Sequence, residues 1–120
     1  MNESYTVKTT LVTIPADRIT DWDTFHSVFQ TALGFPEFYG RNMNAWIDCL
    51  TCLDDGMTRF TVADGDALTL RIDGAADFQR RCPEQYQALI ECAAFVNFRR
   101  MEAGLQPGLS LMLSGHFSGD

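Results

Sequence analysis

The stretch GFPEFYGRNMNAWIDCLT, residues 34–51, carries the strongest structural signal in this sequence. Its first part, up to Arg41, combines aromatic residues with Pro and Gly and predicts a loop. Asn42 suits the capping position of a helix, which we expect over about residues 43–53. Apolar side chains recur along it at helical spacing and should form the face that packs on the core: Met43, Trp46, Ile47, Leu50 and Leu53.

The opposite face of this predicted helix is polar. Asn44, Asp48, Thr51 and Asp55 follow one another at helical spacing, and all four side chains accept hydrogen bonds. The aromatic loop residues lead into the same surface through Gly40. Since any amphipathic surface helix has a polar face, this pattern alone assigns no function.

Upstream of this stretch, residues 5–14 alternate polar and apolar side chains and predict a strand ended by Pro15. Thr20 and Asp23 approximate a capping box for a helix over about residues 21–33, which Gly34 ends. Downstream, residues 58–62 and 67–72 are two β-type runs separated by the turn signal Asp64-Gly65-Asp66. The two runs form a hairpin that adds an extra strand, or the first run alone joins the main sheet.

The last part of the chain predicts two helices and a strand. A short helix is expected near residues 75–81, and Pro83 suits the first turn of a long helix that reaches about Met101. Gly104 lies where a C-cap glycine belongs. The long helix has one apolar stripe: Tyr86, Leu89, Ile90, Ala93, Val96 and Met101. The apolar run 109–113 is typical of a strand buried on both faces.

The predicted order is therefore strand, two helices, strand, helices, strand. Helical connections between strands favour a parallel sheet with right-handed crossovers. We predict a single α/β domain over residues 1–120, built on a small, mainly parallel three-stranded sheet packed against helices.

The charge of the chain limits its partners. The formal net charge is −7, and residues 1–57 hold three basic and eight acidic side chains. Nucleic acids and anionic membranes need Lys and Arg, so we expect neither as a direct partner, and a basic protein suits better. No apolar run is long enough to span a membrane, and the first thirty residues do not resemble a signal peptide, so we expect a cytoplasmic protein.

The cysteines and histidines form no recognisable catalytic or metal motif. Cys49 and Cys52 are spaced as C-x-x-C, but Cys82 and Cys92 provide no second close pair for a structural zinc. The pair also lies late in its helix, whereas reactive thiols favour a helix amino terminus. We expect buried, reduced thiols. His26, in the first helix, is predicted at the surface or its boundary.

The stretch 34–51 resembles the signature of the barstar family, intracellular inhibitors of secreted ribonucleases. In that family a Pro-Glu-aromatic-Tyr-Gly-x-Asn-hydrophobic-x-Ala loop leads into a helix that carries Asp-Cys-Leu-Thr. The matching residues are Pro36, Glu37, Phe38, Tyr39, Gly40, Asn42, Ala45, Asp48, Cys49, Leu50 and Thr51. Outside this run the resemblance rests on the order of the elements.

The resemblance implies a mechanism without catalysis, metal or cofactor. The family's helix carboxylate enters the nuclease active site and takes the place of a substrate phosphate among Arg, Lys and His side chains; by position, Asp48 is that carboxylate. The chain would be an immunity or antitoxin-type inhibitor that blocks a ribonuclease with residues 36–53. The implied contact residues are Phe38, Tyr39, Asn42, Met43, Asn44, Ile47, Asp48, Thr51 and Cys52.

Four positions depart from the best-known member of that family. Asn44 stands where that member has Asp, Arg41 where it has Glu, and Ile47 where it has Trp. Arg99 is the nearest match to a further Glu of its interface, although Glu102 lies one turn on. We therefore expect the same face to bind a different cognate nuclease.

Two alternatives remain at this point. The chain is a barstar-like binding module whose partner is not a nuclease, or a redox or metal protein that uses Cys49 and Cys52. Whichever of these functions applies, the inhibitor included, we expect a monomer or a weak dimer.

Overall fold

The computed structural model describes residues 6–115. Its elements are β1 (Thr9–Pro15), a 3-10 turn (Ala16–Arg18), α1 (Trp22–Leu33), α2 (Met43–Thr51), β2 (Ala67–Asp73), α3 (Ala75–Arg81), α4 (Pro83–Glu102) and β3 (Leu109–Ser114). The three strands form one parallel sheet in the order β1-β2-β3. The predicted α/β fold, with helical connections between parallel strands, is confirmed.

The core lies between the sheet and the helices. Leu68, Leu70 and Ile72 alternate along the central strand β2 and are fully buried, whereas Thr69 and Arg71, which point the other way, stay partly exposed. The helices therefore cover one face of the sheet. Large apolar side chains from α1, α2 and α3 complete this core, among them Phe25, Phe29, Trp46, Leu50 and Phe78.

The boundaries of the first two elements differ from the prediction. Strand β1 begins at Thr9, and Tyr5, where we expected it to start, lies outside the described residues. The cap of α1 is Asp21 rather than Thr20. The Asp21 carboxylate accepts a hydrogen bond from the Thr24 amide at 2.8 Å, while the Thr24 hydroxyl accepts one from the Asp21 amide at 3.0 Å.

The end of α1 follows the prediction. Gly34 caps the helix with a φ of 67°, a conformation that disfavours other residues. A Cβ atom at this position would also lie 2.8 Å from the Cβ of Arg59, so glycine is required by contact as well as by conformation.

The prediction for the two β-type runs is wrong. Residues 67–73 form the central strand, and residues 58–62 form no strand, so the described residues contain neither a hairpin nor an extra strand. The Arg59 amide donates to the Leu33 carbonyl at 2.9 Å, which holds this segment against the end of α1. The Asp64-Gly65-Asp66 turn forms but delivers the chain directly into β2.

Two expectations about the carboxyl-terminal elements are also wrong. Met101, placed on the buried stripe of α4, is half exposed. Strand β3 is an edge strand, and Met112 and Leu113 are exposed. The prediction of burial on both faces failed because the helices cover only one face of the sheet.

Arg100 joins α4 to the end of α2. Its side chain is completely buried and donates to the Thr51 carbonyl at 2.8 Å and to the Gln106 carbonyl at 3.0 Å. Thr51 is the last residue of α2, and the carbonyls of a helix's last turn have no amide partners within the helix. A guanidinium at a helix carboxyl terminus also complements the helix dipole. These hydrogen bonds fix the position of the end of α2 along the axis of α4.

Candidate partner-binding surface

Helix α2 begins at a well-fixed amino terminus. Asn42 caps it as predicted, since its side-chain oxygen accepts a hydrogen bond from the Ala45 amide at 2.8 Å. Arg41, with a φ of 56°, reaches back to α1. Its guanidinium donates to the Asp23 carboxylate at 2.7 Å and to the Ser27 hydroxyl at 3.0 Å. The charge of Arg41 is therefore paired within the molecule.

The inner face of α2 is packed into the core. Trp46 and Leu50 are fully buried, and the Trp46 ring meets Phe29 edge-on with centroids 5.7 Å apart. Ile47, which we also assigned to the contact surface, is buried as well. Ile47 therefore offers a partner little surface and acts by holding the helix in place.

The outer face of α2 presents the polar residues. Asn44 and Asp48 are exposed one turn apart, while Thr51 and Cys52 are half-buried at the end of the helix. The Thr51 hydroxyl donates to the Ile47 carbonyl at 2.7 Å. Met43 is half-buried at the first turn. Asp48 thus lies in the middle of the outer face of a helix that is capped by Asn42 and packed on the core.

Asp48 has a partner that the sequence did not reveal. The Arg99 guanidinium, on α4, donates to its carboxylate at 2.8 Å. The Asp48 side chain remains 61% exposed and that of Arg99 41% exposed, so solvent screens this ion pair. The sequence placed Arg99 near the surface, but only the register of α4 against α2 brings the two charges together.

The two aromatic loop residues have different environments. Phe38 is 75% exposed, as a contact residue would be, whereas Tyr39 is buried. The Tyr39 hydroxyl lies 2.6 Å from Nδ1 of His26. The Tyr39 ring packs on the Phe35 ring, with the two ring centroids 4.7 Å apart. His26 is itself buried, so the prediction of a histidine at the surface or its boundary is wrong. Tyr39 anchors the loop and leaves Phe38 as its exposed aromatic residue.

The buried His26 gives the fold a predicted pH dependence. Burial lowers the pKa of His26 from 6.5, and the positive charge of Arg41 lowers it further. The unfolded chain therefore binds this proton more readily, and stability falls as the pH drops below 6.5 towards the folded-state pKa. Urea unfolding at several pH values should show that the free energy of unfolding falls more steeply with decreasing pH for the wild type than for His26→Gln. Equal slopes would contradict a buried neutral histidine.

A family model described as Barstar (barnase inhibitor) matches residues 9–106, from the start of β1 to the loop after α4. The chain belongs to the barstar family. The match includes the helix-and-loop surface described above and most of the fold that supports it. A search of curated proteins found no match.

Within this barstar-family fold, the departures noted in the sequence have structural explanations. The charge of Arg41 is neutralised by Asp23. Ile47 faces the core, so this position exposes no aromatic ring on the surface of α2. Asn44 keeps an exposed polar side chain without charge. The remaining departure, Arg99, meets the central carboxylate itself.

The cysteine pair does not favour redox chemistry. All four cysteines are free, and Cys49 is buried. Burial raises the pKa of the Cys49 thiol to about 11, with a smaller effect from Asp48. Burial also raises the pKa of Cys52, helped by Asp55 and Asp48 and opposed by Arg99. Thiols with raised pKa values are poor nucleophiles at neutral pH because the thiolate is the reactive form.

The described residues contain neither a cluster of metal ligands nor a helix that could span a membrane. Between residues 6 and 115, no three His, Cys, Asp or Glu side chains gather closely enough to hold a metal ion. None of the helices in that range is long and apolar enough to cross a bilayer.

Proposed function

We propose that this barstar-family protein inhibits a ribonuclease by placing Asp48 where the nuclease binds an RNA phosphate. The observation that supports this most strongly is the exposed carboxylate at the middle of α2, on a helix fixed by its cap, its buried inner face and Arg100. In this role the protein is the immunity or antitoxin partner that keeps the nuclease inactive.

The chemistry of the proposed contact is that of an anion in a cationic site. A site that binds a phosphodiester presents cationic side chains, and a carboxylate accepts charge-assisted hydrogen bonds from them. Such bonds contribute most where the interface excludes water. Because α2 is already capped and packed on the core before binding, little conformational entropy should be lost when Asp48 docks. The net charge of −7 also favours fast encounter with a basic protein.

The surface around Asp48 provides the remaining contacts. Phe38 offers a large exposed ring beside the amino terminus of α2, and Asn44 an uncharged polar group. On α4, the rings of Phe95 and Phe98 are stacked with centroids 6.0 Å apart, and both are about half exposed. Exposed aromatic residues are enriched at protein interfaces. We therefore place the contact area over α2, its preceding loop and the outer face of α4.

The proposal is tested by titrating barnase with the protein and measuring RNA cleavage. We expect inhibition that is competitive with RNA and saturates at one protein per nuclease, since a single helix fills a single active site, and that is weaker for barnase than for a cognate ribonuclease. The matched control is Asp17→Asn, which removes an exposed carboxylate from the 3-10 turn and should inhibit like the wild type. Inhibition that excess RNA does not relieve, or full RNA cleavage with both forms at the highest protein concentration reached, would contradict the proposal.

Inorganic phosphate should compete with the protein for the nuclease. If Asp48 takes the place of a phosphate, phosphate at ten times its own Kd for the nuclease should raise the apparent Kd of the complex about tenfold. Sodium chloride at the same ionic strength separates this effect from general screening. Equal effects of the two salts, measured by isothermal titration calorimetry, would show that the phosphate site stays open in the complex.

A further inference from the structure

We infer that Arg99 determines which nucleases this protein binds, by requiring an acidic side chain on the partner beside the cations that receive Asp48. This inference rests on the proposed function. Three observations carry it: the 2.8 Å contact of Arg99 with Asp48, the exposure of both side chains, and the position of Arg99 on an outer face of α4.

The partner's cations and Arg99 compete for one carboxylate. Within residues 6–115, Asp48 is the only hydrogen-bond and ion-pair partner of the Arg99 guanidinium. When cations of a phosphate-binding site approach Asp48, they meet Arg99 at the same carboxylate and are repelled by it. The guanidinium must then share Asp48 with them or turn to a new acceptor.

A partner that supplies that acceptor avoids both costs. An acidic side chain next to its cationic site would take the guanidinium while the cations take the carboxylate, so the two proteins exchange ion pairs. A partner with cations alone would bury a like charge against Arg99, which weakens association. An arginine placed here therefore selects by repulsion as well as by attraction.

The surroundings of Arg99 support a role in the contact rather than in the fold. Unlike the neighbouring Arg100, which is completely buried, Arg99 is partly exposed. Phe95, one turn before it on α4, is also about half exposed. The charge thus lies on the same open surface as the proposed interface, where replacing it should leave the core unchanged.

Barnase inhibition by three proteins tests the inference: the wild type, Arg99→Ala and Arg80→Ala. Arg80 is the matched control because it is also an exposed arginine in a single surface ion pair, with Asp77 on α3 at 2.9 Å. Both substitutions change the net charge equally. We expect Arg99→Ala to tighten the inhibition of barnase at least about tenfold, and Arg80→Ala to change it less than threefold.

The outcomes separate this inference from the proposed function. Equal inhibition by the wild type and by Arg99→Ala would overturn the role of Arg99 and leave the proposed function standing. Weaker inhibition by Arg99→Ala would support that role and show that barnase itself supplies the acidic acceptor. An equal gain from Arg80→Ala would also overturn it, because long-range charge would then explain the effect. Barnase that stays fully active with the wild type and with Arg99→Ala would contradict both proposals.

Discussion

Asp48→Ala weakens the inhibition of barnase by roughly 30- to 3,000-fold in our account. Removing one partner of a buried, hydrogen-bonded charge pair costs about 2–5 kcal/mol, and each 1.4 kcal/mol is about a factor of ten in Kd. The loss arises in the complex, where the nuclease's cations would be desolvated without an anion. Inhibition constants from RNA cleavage in low-salt buffer measure it.

Two controls make this result specific to the carboxylate. Asp48→Asn keeps the size of the side chain and should lose most of the same affinity, whereas Asp17→Asn should lose none. The fold should be unaffected, because the ion pair of Asp48 with Arg99 is exposed and such pairs contribute about 0–1 kcal/mol. Inhibition by Asp48→Ala at the level of Asp17→Asn would remove Asp48 from the mechanism.

Arg100→Met should lower the free energy of unfolding by about 2–4 kcal/mol. Methionine retains the apolar bulk of the buried side chain but leaves the Thr51 and Gln106 carbonyls without donors. A hydrogen bond to a charged group contributes about 1.5–3 kcal/mol, and both of these bonds are lost. Replacing a buried charge by an apolar residue is often neutral when both partners are replaced, but here the backbone acceptors remain.

Urea unfolding at constant pH measures this loss, and Arg80→Met is its control. The Arg80 side chain is 66% exposed, so its replacement should change stability by less than about 0.5 kcal/mol. The two variants carry the same chemical change at a buried and an exposed position. Equal stabilities would show that Arg100 does not tie α4 to the end of α2.

Local sequence signals predicted the elements that position the surface. Asn42 and Gly34 mark the start of α2 and the end of α1 because capping depends on a few neighbouring atoms. The spacing of Trp46 and Leu50 predicted the buried face of α2 for the same local reason. The outer position of Asp48 followed directly from that face.

Features that depend on distant contacts were not predicted. Residues 58–62 and 67–72 have similar β propensity, and only pairing with β1 and β3 decides which run becomes a strand. The bond between His26 and Tyr39 joins α1 to a later loop, and the pair of Asp48 and Arg99 joins positions 51 residues apart. The spacing of apolar residues in α2 predicts which of its faces is buried. It does not predict how α4 is positioned along α2.

The role of Asp48 as a phosphate mimic is tested most directly by the distance from its carboxylate to the nearest cation in a crystal structure of the complex with barnase. If Asp48 takes the place of a phosphate, we expect a guanidinium or ammonium group of the nuclease's phosphate site at about 2.7–2.9 Å, the length of a charge-assisted hydrogen bond. A complex in which Asp48 is bonded to Arg99 alone, while another element fills the phosphate site or leaves it open, would contradict it.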